Sequence, residues 1–401
     1  MKPIEIAIAG CGPAGLTAAL ALNAQGHRVT LFDQFAAPMP LGSGLILQPT
    51  GLAVLDWLGL GARMGSLGAP IDRLYGRACG SERVVLDVRY EALGSMRGLA
   101  VHRAGLFNVL YDAVKVAGIA VHTSSPVKDL QQSSLILHPK EKVGPFDLVI
   151  DALGGKSPLI PHAAAPEARA RLDYGAIWAS LPWPGPPFDP HALEQRYDAA
   201  NVMIGVLPIG RRHETDSPMA AFFWSLRTED FPRWRADGLN RWKHRVRRYW
   251  PETSRLLDTI ERPEQMVLAA YEHHTLPLPF GERLVFIGDA AHSTSPQLGQ
   301  GANMALLDVY ALAHALETSD SVEQVGPAYA RLRRRHVKLY QALSRVFTPF
   351  YQSDSAILPL IRDFLVAPVS TLPGAAKLLA LIVAGLLGRP LMPLANGGSR
   401  R

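Results

Sequence analysis

The segment "IEIAIAGCGPAGLTAALALNAQGHRVTLFDQF", residues 4–35, decides the fold. Its alternating isoleucines predict a short buried strand, and "RVTLF" predicts a second strand after a helix. Between the first strand and the helix the chain reads G-x-G-x-x-G. These glycines permit the sharp turn, the close approach of a pyrophosphate and the packing of helix on strand, while the helix amino terminus offers N–H groups to phosphate oxygens. We therefore predict a dinucleotide site that includes Gly10, Gly12, Pro13, Ala14 and Gly15.

A carboxylate stands at the end of the second predicted strand. Asp33 follows Gly15 by 18 residues, where it can hold both ribose hydroxyls of an adenosine and repel a 2′-phosphate. A glycine turn without a ligand would leave this acid unexplained. Cys11, inside the turn, is interpreted as a small filler, since no second cysteine is placed beside it.

The composition bounds the class of protein. With 401 residues, 48% hydrophobic and 19% charged, the chain is globular and long enough for two or three domains. Two cysteines exclude a disulfide framework and a four-cysteine zinc site, so we expect no metal and a cytoplasmic location. The sequence contains no run of about 18 apolar residues, so we predict no membrane-spanning helix. The net charge is +6, and the basic residues are concentrated at 241–250 and 331–336. These segments are solvated helix faces or docking sites for an anionic cofactor or lipid surface. No aromatic-interleaved basic segment predicts nucleic-acid binding.

A second glycine-rich stretch, "FIGDAAHSTSPQLGQGANMALLDVYALAHAL", occupies residues 286–316. It predicts a buried strand at 283–287 with Asp289 at its carboxyl end, where a carboxylate can accept a hydrogen bond from a polyol such as the ribityl chain of a flavin. Gly299 and Gly301 then precede a long apolar helix. The positive end of that helix would face the ligand and stabilise a reduced, anionic flavin.

This stretch resembles the second FAD motif of the class A flavoprotein monooxygenases, the para-hydroxybenzoate hydroxylase-like family. Two more segments resemble that family in the expected order. "GSGLILQPTGLAVLDWLGLG", at 42–61, would place small residues beside the isoalloxazine, and the arginine of "VHRAGLFNVLYDAV", at 101–114, would reach the FAD phosphates and ribityl chain. The resemblance covers residues 1–345 and implies FAD as cofactor. It adds to the predicted cofactor site Gly44, Arg103, Gly154, Asp289, Gly299, Gly301, Ala302 and Asn303.

The middle motif of the family departs from its pattern in "DLVIDALGGKSPLI", residues 147–160. Leu153 stands where the family has an aspartate and Ile160 where it has an arginine, whereas Gly154 and Ser157 fit. In the family this motif bears on both FAD and the nicotinamide donor. The departure therefore concerns the mode of NAD(P)H interaction more than FAD binding.

The expected fold is α/β, with a Rossmann-like FAD-binding domain, an antiparallel-sheet substrate domain and a helical C-terminal region. We assign 1–72, 98–172 and 276–325 to the FAD-binding domain, 73–97 and 173–275 to the substrate domain, and 326–401 to the helical region. Within the substrate domain we predict a hairpin around Gly80, strands at 173–183, 201–210, 219–227 and 266–278, and a helix at 238–250.

The resemblance also implies the chemistry. NADH or NADPH reduces FAD, the reduced flavin reacts with dioxygen to give a hydroperoxide at C4a, and the terminal oxygen passes to an electron-rich ring. We therefore predict an FAD-dependent monooxygenase that hydroxylates an aromatic or conjugated apolar small molecule, with Pro296 near the flavin ring. Tyr271 and His273 are candidate bases toward a phenol. His273 and His274 point to opposite faces of a regular strand, so at most one reaches the cavity, and an ordinary strand role explains each as well.

Two other functions remain open on this fold: an FAD-dependent reductase or dehydrogenase, such as the prenyl-reductases, and a flavin-carrying binding protein. The uncharged run "LLALIVAGLL", at 378–387, is about half the length of a bilayer span. It either docks against the substrate domain and roofs the active site, or makes peripheral contact with a membrane, with residues 331–335 meeting anionic headgroups.

Overall fold

In the computed structural model the chain is described over residues 2–37, 42–81 and 83–390. Its strands are, in chain order, β1 (Glu5–Ala9), β2 (Arg28–Phe32), β3 (Gly44–Leu47), β4 (Ala69–Ile71), β5 (Arg73–Ala78), β6 (Val84–Arg89), β7 (Gly98–His102), β8 (Ala120–His122), β9 (Val127–Gln131), β10 (Ser134–Leu137), β11 (Glu141–Val143), β12 (Leu148–Asp151), β13 (Ala168–Pro182), β14 (Ala192–Asp198), β15 (Val202–Pro208), β16 (Met219–Arg227), β17 (Val267–Thr275), β18 (Phe280–Gly281), β19 (Leu284–Phe286) and β20 (His292–Ser293). Its α-helices are α1 (Pro13–Ala24), α2 (Pro49–Trp57), α3 (Gly61–Leu67), α4 (Arg103–Val116), α5 (Phe231–Asp237), α6 (Leu239–Tyr249), α7 (Ser254–Asp258), α8 (Gly301–Thr318), α9 (Val322–Tyr351), α10 (Leu358–Ile361), α11 (Ala367–Ser370) and α12 (Pro373–Val383).

A six-stranded sheet carries the predicted dinucleotide turn. Its order is β18-β19-β12-β1-β2-β8, and β1 pairs in parallel with both β2 and β12. Ile6 and Ile8 of β1 are fully buried against the helices that cover one face of the sheet, which is why a short alternating segment forms a central strand. The carboxyl ends of the parallel strands meet at one edge, where ligands bind in open α/β sheets. The Rossmann-like prediction is confirmed.

An eight-stranded, mostly antiparallel sheet forms the second layer, in the order β20-β17-β13-β16-β15-β14-β5-β6. The predicted hairpin around Gly80 is confirmed as β5 and β6, and the strands predicted at 173–183, 201–210, 219–227 and 266–278 are β13, β15, β16 and β17. The strand β14, which pairs in parallel with β5, was not predicted, because its residues are largely charged and polar. β20 comes from the predicted flavin loop and pairs with β17, so it joins the two layers.

The two faces of this sheet have different neighbours. Along β16, Phe222 and Trp224 pack with Trp242 of α6 in one apolar core, whereas Phe223 faces the opposite side. This alternation follows from the period of two along a strand. One face is therefore closed by α5, α6 and α7, and the other is free to form a cavity.

The C-terminal region is helical, as predicted, over its described part; residues 391–401 of that prediction lie outside the described residues. α9 packs along α8, and after α10, a π-helical turn at Arg362–Val366 and α11, helix α12 returns to the body of the protein. In the ranges that the structure describes, no single helix has the length and apolarity to cross a membrane. The segments Leu358–Ser370 and Pro373–Val383 reach that length only together, across a bend of 106°.

Candidate cofactor and substrate site

A cavity of about 980 Å³ lies between the carboxyl edge of the parallel sheet and the free face of the eight-stranded sheet. On one side it is lined by β3, the start of α4 and the loop 293–302. On the other side it is lined by the inner residues of the antiparallel sheet and by α12. One chamber therefore connects the predicted flavin loops to an apolar wall.

The glycines of the first turn have separate structural roles. Gly10 has φ of +103°, and a Cβ there would lie 2.6 Å from the carbonyl oxygen of Ala152. A Cβ on Gly15 would lie 1.9 Å from the carbonyl oxygen of Gly10, so helix and turn are in direct contact. A Cβ on Gly12 would meet no atom within 4 Å. Gly12 thus borders open space at the amino terminus of α1, as a pyrophosphate cradle requires.

Asp33 braces this turn through backbone hydrogen bonds. Its Oδ2 accepts a hydrogen bond from the Cys11 N–H at 2.7 Å, and its Oδ1 accepts one from the Phe35 N–H at 3.0 Å. Burial, with Asp33 nearby, raises the pKa of the Cys11 thiol to about 12. Cys11 is therefore protonated and unreactive at neutral pH, consistent with its interpretation as a filler.

Arg103 and Asp289 both line the cavity. Arg103 is the first residue of α4, and its stem packs against Gly42, where an added Cβ would come within 2.9 Å of the arginine Cδ. Asp289 is open to the cavity, but protein surrounds its other sides. Burial raises the pKa of its carboxyl, and the nearby Arg103 opposes that rise. A polyol hydroxyl in the cavity would supply the hydrogen bond that such a carboxylate lacks.

The loop before α8 provides the remaining predicted cofactor residues. Pro296, Gly299, Gly301 and Ala302 line the cavity, and Gly299 has φ of +61°. Asn303 is fully buried and does not line it. Its Oδ1 accepts from the N–H of Gln48 at 2.8 Å, and its Nδ2 donates to the carbonyls of Ile46 and Gly299 at 3.0 and 2.9 Å. Asn303 therefore positions the surrounding loops.

The three candidates on β17 lie in different environments. Tyr271 lines the main cavity and accepts a hydrogen bond from Trp178 Nε1 at 2.9 Å; burial raises its pKa to about 12. His273 lines a separate pocket with Arg345, and burial and then Arg345 lower its pKa. His274 is inaccessible, donating from Nε2 to the Ala290 carbonyl at 3.0 Å. Tyr271 lies opposite a register irregularity in β13, so regular alternation does not govern this part of the strand.

A carboxylate that the sequence analysis did not single out holds the altered middle motif together. Asp151, the last residue of β12, is fully buried. Its Oδ2 accepts from Ser157 Oγ at 2.5 Å and its Oδ1 accepts from the Leu153 N–H at 2.9 Å. The motif has no acid at Leu153 but carries one two residues earlier, and the visible signal was a carboxylate at the end of a buried strand. The loop brings Gly155 and Lys156 to the cavity, whereas Gly154, with φ of +87°, does not line it.

Asp151→Asn is expected to remove a pH dependence of stability. Burial raises the pKa of Asp151 to about 6, above its ordinary value of 3.8. A raised pKa means that the stability contribution is complete below pH 4 and is lost as the pH rises through 6. Between pH 4 and pH 7 the free energy of unfolding of the wild type should therefore fall by about 2–3 kcal/mol more than that of the Asn variant. Urea unfolding at both pH values measures this, and an unchanged difference would contradict it.

A buried ionic network joins the second glycine stretch to the C-terminal helices. Asp308 of α8 is fully buried; its Oδ2 lies 2.8 Å from His292 Nε2 and accepts from the Gly288 N–H at 2.8 Å. Its Oδ1 accepts from Arg333 Nε at 2.7 Å. His336 then donates from Nε2 to the carbonyl of Gly385 at 3.0 Å. His292 is therefore held beside this buried carboxylate, away from the cavity lining.

Polar residues missed by the sequence analysis complete the lining. Gln48 accepts a hydrogen bond from the buried Tyr90 hydroxyl at 2.6 Å, and Gln300 donates to the carbonyl of Val383 at 2.5 Å. Both glutamines line the cavity. Their roles depend on partners distant in sequence, so no local motif identifies them. Taken together, an open cradle at Gly12, a braced acid at Asp33 and a cavity-facing Asp289 fit an FAD.

Comparisons with known proteins agree with this geometry. A family model described as "FAD binding domain" matches residues 3–139 and 247–338, more than half of the chain. The chain is 24% identical to a probable 2-heptyl-3-hydroxy-4(1H)-quinolone synthase of Rhodococcus erythropolis, over 98% of each protein. It is 25% identical to 3-amino-4-hydroxybenzoate 2-monooxygenase of Streptomyces cremeus, over 88% of this chain and 89% of that one. The crystal structure of Klebsiella pneumoniae HpxO complexed with FAD and uric acid superposes with a TM-score of 0.77 at 20% identity, covering 96% of this chain and 98% of that one.

Proposed function

The chain belongs to the FAD-binding-domain family and is an FAD-dependent monooxygenase, and we propose that it hydroxylates an aromatic or conjugated apolar small molecule at the expense of NADH or NADPH. The reductase and binding-protein alternatives gain no support from the relatives. The observation that carries the proposal is the single chamber in which Asp289, Pro296 and Gly299 meet the apolar wall of the eight-stranded sheet.

The chain's own residues would hold the cofactor in two places. The phosphates would lie at Gly12 and the amino terminus of α1, with the adenosine ribose at Asp33. Arg103 and Asp289 would hold the chain between phosphate and ring. FAD, when bound and reduced by the nicotinamide, supplies the activation of dioxygen. The amino terminus of α8, reached through Gly299 and Gly301, would favour negative charge at the ring.

Tyr271 is proposed as the residue that orients the substrate. With its pKa raised to about 12, the phenol stays protonated at neutral pH and cannot act as a base. Trp178 donates to its oxygen, so the Tyr271 proton is free to hydrogen-bond to an oxygen or nitrogen on the substrate. Of the described residues, no histidine lines the main cavity, so His273 has no position from which to deprotonate a substrate there.

A substrate screen tests the proposed activity. FAD-loaded protein would be mixed with NADH or NADPH and a panel of phenols, quinolones and aromatic acids in air. We expect at least one compound to accelerate nicotinamide oxidation and to gain the mass of one oxygen atom. Acceleration without any oxygenated product, or saturation of the substrate, would contradict the proposal.

We further propose peripheral membrane contact through an apolar ridge made of Ile357, Leu360, Phe364, Leu365, Val369 and Leu372. These side chains are between 46% and 67% exposed, and such a cluster exceeds the scattered apolar residues of an ordinary surface. Three exposed cations accompany the ridge. The Arg83 guanidinium lies 4.0 Å above the Phe364 ring, and Lys377 and Arg389 follow the ridge in the sequence. Cations beside apolar side chains suit an anionic lipid surface. Arg333 does not contribute, because it is buried against Asp308.

Phe364→Ser combined with Leu365→Ser should abolish sedimentation with anionic liposomes. The wild-type protein is expected to co-sediment with vesicles of phosphatidylglycerol and phosphatidylcholine, less so at high salt. Val116→Ser is the matched control, since Val116 is an 89% exposed apolar residue on α4. Equal partitioning of all three proteins, or a ridge variant that changes only the oligomeric state, would overturn the membrane assignment.

A further inference from the structure

We infer that the substrate carries an uncharged apolar substituent, received by an apolar arm of the cavity that helix α12 helps to build. The arm is formed by Leu74, Leu86, Leu193, Leu207, Leu379 and Val383, which line the cavity and belong to one apolar cluster. Four of these residues come from the eight-stranded sheet and two from α12. The inference rests on the proposed function, and it assigns to the C-terminal helix a role in substrate selection.

Helix α12 is fixed as a wall by hydrogen bonds at its carboxyl end. Three consecutive carbonyls, from Ile382 to Ala384, accept from Tyr340, Gln300 and Thr50 at 2.9, 2.5 and 3.3 Å. The next carbonyl, of Gly385, accepts from His336 at 3.0 Å. Gln300 belongs to the loop that precedes α8. The position of Leu379 and Val383 is therefore set relative to the predicted flavin loop.

The charges of the cavity exclude a carboxylate from this arm. The charged lining residues in the described chain are Arg103, Lys156, Glu272 and Asp289, and none comes from β5, β6, β14, β15, β16, α9 or α12. Glu272 is already paired with Arg169. The polar groups on the substrate wall are neutral, among them Ser180 and Gln195. A carboxylate in the arm would lose its hydration without gaining a counter-ion, whereas each added methylene would gain from burial.

The test measures binding to the oxidised, FAD-loaded protein through perturbation of the flavin absorbance. The probes are the 4-n-alkylphenols from methyl to heptyl, the matching 2-n-alkyl-4-quinolones, and 4-hydroxybenzoate. We expect the dissociation constant in at least one alkyl series to fall about fourfold per methylene until the arm is full. 4-Hydroxybenzoate should bind at least tenfold more weakly than the pentyl member.

Variants on the two faces of α12 locate the arm. Leu379→Phe should weaken binding of the longest members at least tenfold and leave the methyl member unchanged, while Val383→Ala should extend the tolerated chain. Leu378→Phe is the matched control, because Leu378 is 49% exposed and does not line the cavity. Equal effects of Leu378→Phe and Leu379→Phe, tighter binding of the acid, or no chain-length dependence in either series would overturn the inference. Hydroxylation of the acid would then leave the proposed function standing, whereas chain-length-dependent binding without oxygenation would contradict only the proposed function.

Discussion

Gly12→Val should yield a folded protein without FAD. Gly12 has φ of −70° and ψ of 176°, a conformation that valine adopts readily, and an added Cβ meets no protein atom within 4 Å. The side chain would instead fill the space in which the pyrophosphate is expected. We therefore expect a colourless protein whose affinity for FAD is reduced at least 100-fold. A loss of this size is on the order of the few kcal/mol that charge-assisted hydrogen bonds to phosphate contribute.

Absorbance at flavin wavelengths and circular dichroism of the same sample separate cofactor loss from unfolding. Gly65→Val is the matched control, because Gly65 is an exposed helical glycine with no neighbour within 4 Å of an added Cβ. The control should remain yellow. Retention of stoichiometric FAD by Gly12→Val would remove the phosphate assignment from the first turn.

Asp308→Ala should cost more stability than any other single substitution considered. It would leave Arg333 buried without its carboxylate partner and would release the Gly288 N–H and His292 together. Breaking one side of a buried ion pair costs about 3–5 kcal/mol. Because Gly288 precedes Asp289, we also expect weaker FAD retention. Chemical unfolding of the variant and of Glu317→Ala, an exposed acid on the same helix, measures the difference.

The pH dependence of this effect has a defined sign. Burial alone would raise the pKa of Asp308, but His292 and Arg333 more than offset it, and the pKa lies below its ordinary value. A lowered pKa gives a stability contribution that is present above about pH 4 and is lost as the pH falls through the folded-state pKa. The difference in free energy of unfolding between wild type and Asp308→Ala should therefore become smaller below pH 4. A gap that widens there would contradict the ion-pair account.

The elements with local signals were the predictable ones. The turn at Gly10 and Gly12 and the acid at Asp33 follow from spacing alone, because the spacing places one glycine in the sharp turn and the next beside the expected pyrophosphate. The strands β13, β15, β16 and β17 were recognised by their apolar composition. The strand β14 was missed because it presents polar residues, and its place in the sheet is decided by pairing with β5.

The remaining features depend on contacts between distant parts of the chain. Gln300, for example, donates a hydrogen bond to a carbonyl 83 residues away in the sequence. The sequence of residues 378–387 was compatible both with docking against the substrate domain and with membrane contact. The structure shows docking of Leu379 and Val383 at the cavity, and it places the exposed apolar residues in the preceding segment. Periodicity could not separate the two, because a helix that is apolar nearly all round does not reveal which side is covered.

In the proposed reaction, oxygen activated on a bound flavin is inserted into a substrate held against the apolar wall. Turnover of an accepted substrate under ¹⁸O₂ in ordinary water, followed by mass spectrometry of the product, tests this most directly. We predict that the product gains one ¹⁸O atom. When nicotinamide oxidation is fully coupled to hydroxylation, oxidised nicotinamide and hydroxylated product should form in equal amounts. A product that contains only ¹⁶O, or that gains hydrogen and no oxygen while the nicotinamide is consumed, would contradict the account.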